Sequence, residues 1–67
     1  MITLSSGRTA DILAREFSSL STAIAYAERI ATRCAANGHV SMAADYWGAA
    51  EDLRARRLDR AIRRRAA

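Results

Sequence analysis

Proline is absent from this 67-residue chain, so no position lacks the backbone donor that a helix interior needs. Sixteen alanines push the same way, because alanine loses no side-chain entropy on entering a helix. A single cysteine, Cys34, excludes an internal disulfide framework and a thiolate metal cage. Histidine is as scarce: His39 stands alone in what reads as a turn, with no carboxylate at a helical spacing to orient it. The three glycines, Gly7, Gly38 and Gly48, are isolated and build no phosphate-cradling loop. With these groups missing, no catalytic constellation, cofactor or metal is expected, and the chain reads as a non-enzyme. No apolar stretch approaches the roughly 20 residues that span a bilayer. Met1-Ile2-Thr3-Leu4 also lacks the basic start and apolar middle of a secretory signal. A cytoplasmic setting is the expectation.

What is present is a period. Leu13, Phe17, Leu20, Ile24, Ala27, Ala31 and Cys34 recur at spacings of 4 and 3, which marks one face of a long helix. On that face Cys34 acts as a small hydrophobe. Thr9 is a plausible N-cap, with Asp11 in the first turn, so the first helix is expected over about 9–36, after an extended lead over 1–8 in which Ser5-Ser6-Gly7 signals a turn. Its weakest point is Phe17-Ser18-Ser19-Leu20-Ser21-Thr22, where four hydroxyl residues could cap a fresh helix. The apolar phase passes through without slipping, so one continuous helix is expected. Ile12, Ala23, Tyr26 and Ile30 form a second apolar strip beside the first. Asn37-Gly38 is a stop signal, Val40 could pack back on the last turn, and Ser41 could cap a second helix over about 42–63, with a frayed basic tail at 64–67. Its inner face is Ala43, Tyr46, Trp47, Ala50, Leu53 and later Ala61, while Leu58 and Ile62, to one side, should meet Phe17 or Leu13. The expected fold is therefore all-α, an antiparallel two-helix hairpin joined by a turn at 37–41. A single domain this small needs further support. A homodimer in a four-helix arrangement would supply it, through a seam of Leu13, Phe17, Leu20 and Ile24.

Charge is lopsided. Residues 1–50 carry four Arg against four acids, whereas residues 51–67 carry seven Arg against Glu51, Asp52 and Asp59, so the whole formal charge of +4 lies in the C-terminal quarter. Arg54, Arg56, Arg57, Arg60, Arg63 and Arg64 permit three readings: a solvated helix end, a nucleic-acid stripe, or a dock for an acidic protein surface. Asp52–Arg56 and Asp59–Arg63 are favourable i,i+4 pairs, which supports the first. For protein recognition the candidates are Tyr26, Tyr46 and Trp47, with Arg29 and Arg33 at their flank, since aromatics and Arg dominate interface hot spots.

Two resemblances bear on function. Gly38, Ala43, Trp47 and Ala50 fill the turn, small, aromatic and small slots of a tetratricopeptide repeat, and the chain resembles that motif over residues 27–55. Ala27 and Cys34 stand where that family usually has Trp and Tyr, and there is no second copy, so no repeat array is implied. The resemblance implies helix–turn–helix packing and a lean towards protein binding. As a short, alanine-rich chain whose basic residues are all Arg, it is also similar in type to small phage-encoded host-takeover proteins, quorum-sensing anti-activators and anti-CRISPR proteins among them. That likeness implies an inhibitor that occupies a host protein, such as a transcriptional regulator or a defence complex, by steric means. The alternative is a small nucleic-acid-binding protein acting through the Arg-rich end.

Overall fold

The computed structural model describes the backbone of residues 3–66 and the side chains of residues 6–66. Every regular element among them is helical: α1 (Thr3–Glu16), α2 (Leu20–Ala36) and α3 (Val40–Ala66). The all-α expectation holds, but the two-helix hairpin does not, because the first helix is broken in two. The break falls in the serine run. Ser19 takes an extended backbone (φ −141, ψ 155) and its Oγ accepts the Thr22 N–H, so it caps α2. A serine side chain offers the backbone this local alternative to continuing a helix. The apolar period could not reveal the break, because Leu13, Leu20 and Ile24 face the same core on either side of it.

At the other end of α2 the stop signal acts as expected. Gly38 has a left-handed backbone (φ +83). The Gly38 N–H donates to the Ala35 carbonyl at 3.1 Å and the His39 N–H to that of Cys34 at 2.8 Å, the pair of bonds that closes a helix end around a left-handed glycine. This closure takes only residues 37–39. α3 then begins at Val40, with the His39 carbonyl accepting the Ala43 N–H, so Ser41 lies inside the helix rather than capping it. Val40 is exposed and does not pack back. α3 also runs on to Ala66, through most of the expected basic tail.

α3, 27 residues long, is the spine, and both other helices pack on it more than on each other. Ser6 reaches Asp45 while Asp11 reaches Arg56, so α1 runs parallel to α3. Glu28 pairs with Arg54 while Ser21 meets Arg57, so α2 runs antiparallel to it. The core lies between the three: Ala10 and Leu13 from α1, Leu20, Ala23, Ile24 and Ala27 from α2, Ala49, Ala50 and Leu53 from α3. Most of these are alanines, which lets the helix axes approach closely. Gly48 marks one such approach, since a Cβ there would lie 2.5 Å from Ser6 Oγ.

The expected lead over 1–8 is helical from Thr3, and its first two residues lie outside the described part. Thr9 is accordingly an interior residue of α1, not its cap. The local turn signal is overridden by tertiary bonds: Ser6 Oγ donates to the Asp45 carboxylate at 3.2 Å and Thr9 Oγ1 to its other oxygen at 3.1 Å. The proposed dimer seam is also accounted for within one chain. Leu13, Leu20 and Ile24 are buried there, and Phe17 packs against them. A separate α1 covers what a two-helix hairpin would have left bare.

Candidate functional site

The aromatic residues divide between inside and outside. Tyr26 and Tyr46 pack against the core from its edge, and the Tyr26 ring lies 5.0 Å from that of Phe17 at 41°. Burial, then the neighbouring Tyr26, Cys34 and Asp45, hold the Tyr46 hydroxyl above its ordinary pKa. Trp47, one position on, points about 100° away around the helix and is 42 % exposed. Arg29 and Arg33 are exposed one turn apart on α2. Tyr26 and Tyr46 therefore come together, but their packing takes up much of the surface a partner would use. Trp47 shares a stripe of α3 with Arg54, whose partner Glu28 places that stripe on the α2 flank, whereas Tyr26 meets Phe17 at the end of α1. The five candidates do not form one patch.

Outside the core, α3 carries a row of large apolar side chains in water. Val40 is 73 % exposed, Leu58 63 % and Ile62 57 %, and with Trp47 they fall within about 60° of one another around the helix. Leu58 and Ile62, expected to meet Phe17 or Leu13, stay exposed and outside the core cluster, on a row that lies beside α2. Ile12 and Met42 are exposed as single side chains elsewhere.

The basic residues of α3 are partly occupied. Arg56 Nη2 pairs with Asp11 at 2.6 Å and Asp52 at 3.3 Å, and those carboxylates, Asp11 above all, raise its pKa further. Arg63 pairs with Asp59 at 3.1 Å, and Arg54 with Glu28. Arg57 Nη1 donates to Ser21 Oγ at 3.1 Å. Among the described residues Arg60, Arg64 and Arg65 make no ion pair. Arg57, Arg60 and Arg64 share a shallow cleft with Ser18, Ser19 and Ser21 at the start of α2.

His39 is exposed, Cys34 is buried and free, and among the described residues no group of three metal-ligating side chains occurs. Among the described residues no helix is long and apolar enough to cross a membrane. The fold and its surfaces thus define a small three-helix protein with an apolar face on its longest helix and a basic cleft near that helix's end. No family model matches the chain, and no curated protein or solved structure matches it either.

Proposed function

We propose that this chain is a small, non-enzymatic protein-binding module that acts by occupying a partner's interface, and that its contact face is the outer side of α3. The observation that carries the reading is the exposure of Val40, Trp47, Leu58 and Ile62 along one side of one helix. Scattered exposed apolar residues are ordinary; four large ones sharing one side of one helix, with Glu51 and Arg54 between Trp47 and Leu58, support an interaction surface of mixed character. Trp47 supplies an anchor of large area at low entropy cost, and Arg54 beside it supplies a directional polar contact. The partner class carried over from the phage resemblance is a host regulator or defence complex, which such a row would engage by helix-on-helix packing.

The test is a benzophenone amino acid at position 58, irradiated in a bacterial cytoplasm. Protein adducts that depend on light and disappear with Trp47→Ala are the expected result. A chain that yields no protein adduct from that position does not use this face, and the reading fails.

The cleft of Arg57, Arg60 and Arg64 favours a second reading, contact with nucleic-acid phosphates. It requires duplex binding that falls steeply with salt, since each neutralised phosphate releases counterions. It also requires that binding be lost on replacing those three arginines with serine.

A further inference from the structure

We infer that the outer face of α3 is completed by a second copy of this chain, the two α3 helices lying antiparallel along each other. The inference rests on reading that face as a docking surface and names its occupant as a second copy, which competes with a host protein for the same row. Positions 40, 44, 47, 51, 54, 58, 61 and 65 follow one another at alternating steps of 4 and 3, the spacing of a coiled-coil seam, and all eight are exposed. The series is symmetric. Reversing the helix about a point between Asp52 and Leu53 lays every position on another member of the same series. Trp47 then meets Leu58 of the second copy, and the small Ala44 meets Ala61, which borders the cleft at the start of α2. Val40 falls opposite Arg65, with the exposed Ile62 one step to the side.

The charges decide the direction. At the centre Glu51 of each copy faces Arg54 of the other, twice over by the symmetry. Arg54 already holds Glu28 of its own chain, so each guanidinium would sit between two carboxylates. In a parallel, in-register pair Glu51 would face Glu51 and Arg54 would face Arg54, which is repulsive at both positions. The area available reaches the lower end of what a specific pair buries. At their fractional exposures, the four large apolar side chains leave roughly 100 Å² each in water, which comes to about 800 Å² for two copies. Interfaces are roughly 60 % apolar, so complete burial of all four would set an upper bound near 1,300 Å², at the low end of the range of about 1,200–2,000 Å² for specific pairs.

Sedimentation equilibrium of the full chain tests this, with circular dichroism confirming that each variant keeps its helices. The wild type should be a dimer at micromolar concentration. Leu58→Glu should weaken the pair by roughly 100-fold or more, and this exposed position leaves the core untouched. Glu51→Arg and Arg54→Glu should each weaken self-pairing, whereas a mixture of the two should form a heterodimer, because every central contact then joins opposite charges. A monomeric wild type, or a dimer indifferent to Leu58→Glu, overturns the inference. A mixture no tighter than its components overturns the register. The position-58 crosslinker separates this inference from the reading it rests on: an adduct of twice the chain mass supports self-pairing, whereas an adduct with only a different protein overturns self-pairing and leaves the docking face standing.

Discussion

At the scale of single residues, hydroxyls and one glycine fix how α1 meets α3. Asp45 accepts from both Ser6 and Thr9, and Gly48 leaves room for the Ser6 side chain to lie against the helix. Asp45→Ala should therefore loosen α1 specifically, by about 1–3 kcal/mol for two lost hydrogen bonds. Hydrogen exchange would read this as faster exchange over residues 6–16 than over α2. Gly48→Ala brings a Cβ to 2.5 Å from Ser6 Oγ and 3.0 Å from Ser6 Cβ, and these contacts oppose the gain of about 1 kcal/mol that alanine brings to a helix interior. The substitution should destabilise the wild type and stabilise a Ser6→Gly chain, a reversal that urea denaturation of the four proteins would measure. Tyr46 gives the pH dependence. Its pKa is raised in the folded chain above the ordinary 10.0, chiefly by burial. The unfolded chain thus gives up this proton first, so stability is full below pH 10 and declines as pH rises through the folded value. Tyr46→Phe should flatten that decline in thermal melts taken between pH 9 and 11, and an undiminished decline in the variant would refute the assignment.

At the scale of elements, the boundaries depend on capping more than on the apolar pattern. Ser19 holds the first turn of α2 through the Thr22 N–H, and Ser19→Ala should cost about 1 kcal/mol, seen as a lower urea midpoint with an unchanged slope. An unchanged midpoint would mean that the break is held by the packing of α1 alone. The helical class was legible in the alanine content, the lack of proline and the 4–3 spacing. The Asn37-Gly38 stop was legible too, since a left-handed glycine is a local requirement that composition exposes. The division of the first helix was legible only as a weak point. Period reports which side chains face the core, and Leu13, Leu20 and Ile24 face it whether the chain runs straight or folds back. The start of α1 was masked for the opposite reason: Ser5-Ser6-Gly7 has turn chemistry, and bonds to residues nearly 40 positions away decide its conformation.

At the scale of the whole molecule, α3 is too long for the two short helices to cover. Twenty-seven residues make a rod of about 40 Å, and α1 and α2 shield only the side that carries Leu53. The exposed row from Val40 to Ile62 follows from that mismatch in length and girth. Little of it was legible in the sequence: with one long helix imagined opposite, Trp47 reads as an inner-face residue, Val40 as packing back on the last turn, and Leu58 and Ile62 as meeting Phe17 or Leu13. Arg29, Arg33, Tyr26 and Tyr46 were legible as recognition residue types, but only the packing of α1 determined that the tyrosines would be largely taken up at the core edge. Self-pairing along α3 would couple folding to concentration. Mass action then raises the apparent stability per chain by about half of RT ln 100 for a hundred-fold rise above the dissociation constant, or about 1.4 kcal/mol. For a domain of this size that shifts the midpoint of thermal unfolding by roughly 5–10 °C. Leu58→Glu should melt at a temperature independent of concentration, and it should coincide with the wild type only at the dilute end of the series. A wild-type midpoint that stays fixed across that range would mean that the face is bare in solution and awaits a different protein.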